Sequence, residues 1–131
     1  MSYYYIGTWA DAILAKSYTN LQTKPVRILV LVNPVSGSGS AVNIFNKEIL
    51  QILKDSQCEV KTVITERANQ AKELVHQLDP TTVDMILSVG GDGLFYEIIQ
   101  GIMTREDKDV FLGTVTVVPI PGGTGNGLGN T

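Results

Sequence analysis

The chain has 131 residues, 44% of them hydrophobic and 18% charged, which predicts one globular domain. Its net charge of -3 argues against a nucleic-acid binder, because such proteins usually carry a clustered basic surface. A lone cysteine, Cys58, excludes an internal disulfide and fits a reducing, cytoplasmic location. No apolar run approaches the roughly 20 residues that cross a bilayer, and the N-terminus lacks the pattern of a signal peptide.

Residues 1–24 are predicted to form an N-terminal extension. The segment from Thr8 to Asp11 resembles a helix capping box, and Trp9 and Ile13 fall on one face of a short helix over residues 9–17. Because the polar face of this helix is not basic, we expect it to pack against protein rather than a membrane.

From Pro25 onward, strand patterns alternate with helix patterns. Residues 26–32 form a nearly continuous apolar run, typical of a parallel strand buried on both faces. This alternation predicts a mainly parallel sheet between helices, a three-layer α/β/α domain over residues 25–131. The remaining predicted strands are 58–64, 85–89 and 115–120, and the predicted helices are 40–56, 70–78 with Asn69 as its N-cap, and 94–104. The charged run from Arg105 to Lys108 is typical of a solvated loop.

Four loops follow the four predicted strands, at residues 33–39, 65–69, 90–93 and 121–127. Ligands of parallel sheets bind beyond the carboxyl ends of the strands, so these loops are expected to share one rim. Glycines in the loops allow backbone N–H groups to converge on an anion, and the N-terminus of a helix also favours a bound anion. The loops therefore predict a phosphate-containing ligand.

Two common phosphate-binding motifs are excluded. The sequence contains no Gly-x-x-x-x-Gly-Lys-Ser/Thr. The segment Gly37-Ser-Gly39 lacks the third glycine of the dinucleotide fingerprint. Glu66 could imitate the ribose-binding acid of a dehydrogenase, but that interpretation leaves Gly90-Gly-Asp-Gly93 without a role.

Asp92 is the candidate catalytic residue, a carboxylate between two glycines directly after a predicted buried strand. It could accept the proton of an alcohol during phosphoryl transfer, or it could hold a magnesium ion. A third possibility is that it caps a helix beginning near Leu94. The sequence leaves these possibilities open.

Three of these segments resemble the motifs of the diacylglycerol kinase catalytic domain family: Asn33-Pro-Val-Ser-Gly-Ser-Gly39, Gly90-Gly-Asp-Gly93 and Gly122-Gly-Thr-Gly-Asn126. The resemblance covers residues 25–131 and is strongest to sphingosine and ceramide kinases. It implies a phosphofructokinase- or NAD-kinase-like fold, ATP and Mg²⁺ as cofactors, and transfer of the γ-phosphate to a lipid hydroxyl. A sphingoid base, a ceramide or a diacylglycerol would be the acceptor.

The resemblance also implies residue roles. Asp92 would be the general base within a substrate-side loop of Gly90, Gly91, Asp92 and Gly93. The residues implied to bind the nucleotide are Asn33, Pro34, Val35, Thr65, Asn69, Glu97, Gly123, Thr124 and Gly125. For Glu97, an ordinary acid in the first turn of a helix is an equally good interpretation.

Departures from the family concern both residues and length. Val35 stands where sphingosine kinases often have a basic residue, and Gln70 stands where many relatives have His. The family has a second, β-rich domain that supplies the lipid pocket and peripheral membrane contact, and the chain ends at Thr131 before it. We therefore expect residues 1–131 alone to have little or no kinase activity.

Two other functions compete with a lipid kinase. An NAD-kinase-like enzyme would also carry Gly-Gly-Asp-Gly, although Leu94 and the Gly-Thr-Gly-Asn loop argue against it. A non-catalytic nucleotide-binding module is the other alternative. The only histidine, His76, is expected at the surface without a metal, and Cys58 is expected to be a small core residue.

Overall fold

The computed structural model of the protein describes residues 25–35, 41–55 and 58–121. The predicted extension over residues 1–24 and its helix lie outside the described residues, as do Gly37, Gly39, Gly123, Thr124 and Gly125. The proposed boundary at residue 25 therefore remains a prediction.

The described strands form one parallel sheet in the order β2-β1-β3-β4. Their bounds are β1 (Arg27–Val32), β2 (Glu59–Ile64), β3 (Met85–Gly90) and β4 (Thr116–Pro121). The two central strands, β1 and β3, are buried on both faces, which explains their continuous apolar sequences. The edge strand β2 is instead mostly exposed, with only Val60 and Val63 half-buried, one against each face of the sheet. The predicted parallel α/β sheet is confirmed.

Four helical regions connect the strands. The first, α1, runs through Ala41–Ile44, a π-helical stretch at Phe45–Ile49 and Leu50–Asp55. The others are α2 (Gln70–Gln77), α3 (Asp92–Met103) and α4 (Lys108–Thr114). The short α4 was absent from the sequence prediction, and α3 begins before the predicted residue 94.

Helices cover both faces of the sheet, as the three-layer prediction requires. On one face, Phe45, Ile49 and Leu53 of α1 pack against the strands. The opposite face is covered by α2, α3 and α4, through Val75, Ile98 and Phe111. This division follows from right-handed crossovers. Along the sheet, the connection from β1 to β2 runs in one direction, whereas those from β2 to β3 and from β3 to β4 run in the other. Right-handed connections that run in opposite directions place their helices on opposite faces.

Arg105 contradicts the prediction of a solvated charged loop. Its side chain is 9% exposed and its guanidinium lies 4.5 Å from the centroid of the Phe111 ring. The same guanidinium donates hydrogen bonds to the carbonyl oxygens of Val75 at 2.9 Å and Leu78 at 2.7 Å, at the C-terminal end of α2. A cation there satisfies unpaired carbonyls and the helix dipole, so Arg105 holds α2 against α4.

Candidate functional site

The loops after β1 and β3 lie side by side at the carboxyl end of the sheet. The connections that leave β1 and β3 diverge, so a crevice forms between these strands at the position where ligands bind such sheets. The N–H of Asn33 donates to the carbonyl oxygen of Val89 at 3.0 Å. A Cβ atom at Gly90 would lie 3.2 Å from both the Asn33 Cβ and the Leu94 Cδ2. Gly90 therefore permits the two loops and the start of α3 to approach closely.

The loop after β2 lies next to the end of β1. Both the backbone N–H of Thr65, at 2.8 Å, and its hydroxyl, at 3.2 Å, donate to the carbonyl oxygen of Val32. The N–H of Glu66 donates to Gln70 Oε1 at 2.6 Å, which ties the loop to the first residue of α2. Three of the four predicted loops thus meet in the described part of the chain, and the fourth lies outside it at residues 122–127.

A cleft of about 490 Å³ opens where these loops meet. Its lining combines polar atoms with apolar side chains, and Val35 and Ile64 are 78% and 46% exposed. Exposed aliphatic side chains beside convergent polar groups are typical of a small-molecule site. The lining residues are Asn33, Pro34, Val35, Ile64, Thr65, Glu66, Arg67, Ala68, Leu94 and Glu97.

The nine predicted nucleotide residues divide into three groups, one of which (Gly123, Thr124 and Gly125) lies outside the described residues. Asn33, Pro34, Val35, Thr65 and Glu97 all line the cleft. The described lining does not include Asn69. Five further lining residues were not assigned to the site from the sequence: Ile64, Glu66, Arg67, Ala68 and Leu94. Three of them, Glu66, Arg67 and Ala68, lie in the loop at residues 65–69 that the sequence placed at the rim.

Asn69 is the N-cap residue of α2, as predicted, but its side chain does not perform the capping. It occupies the N-cap position with φ 66° and ψ 2°, and its side chain makes no capping hydrogen bond. The left-handed conformation is one that asparagine tolerates better than most residues, which explains the residue type without a cap.

Asp92 lies in the first turn of α3 rather than before it. The N-cap position belongs to Gly91, and no side chain makes a capping hydrogen bond there. The helix-capping alternative for Asp92 is therefore wrong. The side chain is exposed and lies outside the described lining of the cleft. Because α3 begins at Asp92, Glu97 falls beyond its first turn, which weakens the interpretation of Glu97 as a helix-dipole acid.

The charged groups that line the described cleft are Glu66, Arg67 and Glu97. Arg67 is paired with Glu73 of α2 through two hydrogen bonds of 3.1 and 2.6 Å. Hydrogen bonding to the Arg67 guanidinium lowers the pKa of the Glu73 carboxyl, and the same contact raises the pKa of Arg67. The pair holds the turn before α2 in one conformation.

Other candidate features of the described residues do not compete with this site. A second cleft, of about 550 Å³, lies at the opposite end of the sheet around Arg27 and Glu59, away from the glycine-containing loops. Residues 25–35, 41–55 and 58–121 contain no cluster of three or more metal-binding side chains and no helix long and apolar enough to cross a bilayer.

His76 and Cys58 have the ordinary roles expected of them. The exposed His76 places its Nδ1 2.8 Å from the hydroxyl oxygen of Thr104, which links α2 to the end of α3. Cys58 is half-buried against the α1 side of the core, and burial raises the pKa of its thiol.

Comparison with known proteins identifies the class to which this fold and site belong. The family profile described as the diacylglycerol kinase catalytic domain matches residues 27–131. The crystal structure of a diacylglycerol kinase from Bacillus anthracis str. Sterne superposes with a TM-score of 0.60 at 27% identity, covering 80% of this chain and 36% of that one. The chain is therefore a member of the diacylglycerol kinase catalytic domain family, a family of kinases.

Individual relatives bear the names of sphingolipid kinases. Sphingosine kinase 1 of Mus musculus is 35% identical over 108 residues, which cover 82% of this chain and 28% of that protein. Sphingoid long chain base kinase 4 of Schizosaccharomyces pombe is 40% identical over 101 residues, covering 76% and 22%. Ceramide kinase of Mus musculus is 35% identical over 89 residues, covering 68% and 17%. The chain thus spans less than a third of the length of these relatives.

Proposed function

We propose that this chain is the nucleotide-binding, N-terminal half of an ATP-dependent lipid kinase. The cleft between the loops after β1, β2 and β3 holds ATP, and Asp92 accepts the proton of the lipid hydroxyl as that hydroxyl attacks the γ-phosphate. The acceptor is a sphingoid base, a ceramide or a diacylglycerol. The protein acts in the cytoplasm and is recruited to membranes through a second domain.

One observation carries this proposal. Helix α3, which follows Gly90, carries two carboxylates with different surroundings. Glu97 lines the cleft, whereas Asp92 lies outside its described lining. A phosphate donor held in the cleft therefore meets an acceptor that approaches from the Asp92 side. This is the arrangement that transfer between two substrates requires, because proximity and orientation supply much of the rate enhancement.

Magnesium fits the described residues as a companion of ATP. Mg²⁺ in kinases takes most of its ligands from phosphate oxygens and water and needs only one or two carboxylates from the protein. Glu97, which lines the cleft, is available for that task, and the described residues contain no cluster of three or more metal-binding side chains. Bound there, Mg²⁺ would neutralise part of the phosphate charge.

The deciding experiment is a transfer assay with γ-labelled ATP and Mg²⁺. A full-length form of the protein is offered sphingosine, ceramide, diacylglycerol and, separately, NAD. We expect label in one or more lipids and none in NAD. Label in NAD alone would replace the lipid kinase by an NAD-kinase-like enzyme, and nucleotide binding without any transfer would indicate a non-catalytic module.

Residues 1–131 by themselves are expected to bind ATP weakly and to phosphorylate lipids poorly or not at all. The cleft is built by these residues, whereas the lipid pocket of the family belongs to a second domain. Titration of the isolated chain with ADP and Mg²⁺, followed by thermal shift or NMR, tests the first part. Robust phosphorylation of any lipid by the isolated chain would contradict the second part.

Gly93→Ala is expected to preserve the fold and to impair transfer. Among the described residues a Cβ at Gly93 meets no neighbouring atom within 4 Å, so their packing does not require glycine there. Alanine is the better helix former by about 1 kcal/mol, and the melting temperature should be unchanged or higher. We expect kcat/KM for the lipid to fall about 10- to 100-fold, because a methyl group would displace the substrates that meet over this residue. Activity equal to that of the parent would show that the space above Gly93 is not used.

A further inference from the structure

The outer face of α3 begins at the proposed base and continues along the helix. Leu94, Ile98 and Ile102 point into the core and are almost fully buried. The opposite face carries the exposed side chains of Asp92, Tyr96 and Met103. Asp92 and Tyr96 are four residues apart, so they are neighbours on consecutive turns of this face.

Tyr96 is a large aromatic residue that is 62% exposed. Its phenol oxygen accepts a hydrogen bond from Gln100 Nε2 at 3.0 Å, which holds the ring in one orientation. Because the oxygen is the acceptor in this contact, the phenol proton remains available as a donor. Within the described residues that proton has no acceptor, and most of the side chain is exposed.

Gly93 separates the nucleotide side of α3 from this outer face. It is preceded by Asp92 and is followed one turn later by Tyr96 on one side and Glu97 on the other. Among the described residues the space over Gly93 is open, since a Cβ built there meets no heavy atom within 4 Å apart from its chain neighbours and the backbone of its own helix. An acceptor hydroxyl placed over Gly93 beside Asp92 would have its adjoining atoms directly over the ring of Tyr96.

We propose that Tyr96 is an acceptor-binding residue of the lipid kinase site, an inference that rests on the function proposed above. Its ring packs against the acceptor next to the reacting hydroxyl, and its phenol donates a hydrogen bond to a neighbouring oxygen of the acceptor. Sphingosine, ceramide and diacylglycerol all carry such an oxygen close to the hydroxyl that is phosphorylated. A helix-stabilising pair with Gln100 would explain the hydrogen bond, but it would not explain why the exposed ring borders the open space at Gly93.

The test compares Tyr96→Phe, Tyr96→Ala and Met103→Ala in the full-length protein with the lipid that the parent phosphorylates fastest. Loss of the phenol is expected to raise the KM for the lipid about three- to tenfold. Loss of the whole ring should raise it about ten- to hundredfold. The KM for ATP and kcat should stay within about twofold of the parent, as expected when only acceptor binding is lost.

Met103→Ala is the matched control, because Met103 is also exposed, at 49%, on the same face but remote from Asp92. It should leave every kinetic constant at the parental value. A parental lipid KM in Tyr96→Ala, or an ATP KM that rises in parallel with the lipid KM, would overturn the role of Tyr96 alone. A parent that phosphorylates none of the lipids would instead overturn the proposed function and this inference together.

Discussion

Asp92→Asn in a full-length form of the protein is expected to lower the rate of lipid phosphorylation about 10²- to 10⁴-fold, the usual contribution of a general base. Asparagine keeps the size of the side chain but cannot accept the proton of the lipid hydroxyl. The Asp92 side chain is exposed and makes no hydrogen bond within the described residues, so the variant should fold with only a small loss of stability. Steady-state kinetics with saturating ATP and the preferred lipid measure the loss.

Asp109→Asn separates catalysis from the helix dipole. Asp109 is an exposed acid in the first turn of α4, as Asp92 is in the first turn of α3. Both substitutions should reduce stability by a similar small amount, about 0.3–1 kcal/mol, because a negative charge is favourable at either position. Only Asp92→Asn should impair transfer. If the two variants were equally active, Asp92 could not be the base.

Gly101→Ala is expected to destabilise the domain, contrary to helix propensity. A Cβ at position 101 would lie 2.6 Å from the backbone oxygen of Lys72 and 3.1 Å from the Val75 Cβ. The Lys72 oxygen belongs to α2 and can give way only if that helix moves, so overpacking here costs about 3 kcal/mol or more. The gain in propensity is about 1 kcal/mol, which leaves a net loss of about 2 kcal/mol. Chemical denaturation of the 131-residue chain measures this difference.

Gly113→Ala is the matched control for Gly101→Ala. Gly113 lies within α4, and a Cβ there meets no neighbouring atom of the described residues within 4 Å. The same substitution should therefore raise the free energy of unfolding by about 0.5–1 kcal/mol. Changes of the same sign in both variants would show that α2 and α3 are less closely packed than the structure describes.

Displacement of α2 by Gly101→Ala should also weaken ADP binding, because Gln70 of α2 anchors the loop at Glu66.

The strands and the order of loops could be predicted because their signals are local. The apolar run that became β1 has one compatible structure in a domain of this size, a parallel strand buried on both faces. The short α4 carried no such signal, since its seven residues include Gly113 and Thr114 and follow a charged run. It is stabilised by contacts remote in sequence, above all the burial of Phe111 in the core cluster that contains Leu29, Val75 and Ile86.

The candidate site was predictable in part. Strand ends could be predicted to carry the site, and Asn33, Thr65 and Glu97 could be named there because they stand in or beside motifs that resemble those of the kinase family. Ile64 and Leu94 could not, because as apolar residues beside a strand end or within a helix they have the same local pattern as core residues. Whether such a residue lines a cleft depends on where the edge of the sheet falls, and β2 is an edge strand only by virtue of the strand order.

The sequence by itself determined that strands and helices alternate, that polar and glycine-containing loops follow the strands, and that the chain carries the motifs of a kinase family. Only the tertiary structure decided which loops and side chains surround each of those groups. Asp92 and Glu97 are five residues apart on α3, about 140° around the helix axis, so they must face different ways. The apolar stripe of Leu94, Ile98 and Ile102 predicts which face of α3 is buried. What each of the other faces meets depends on contacts with α2, such as the close approach at Gly101, and these belong to residues far away in the chain.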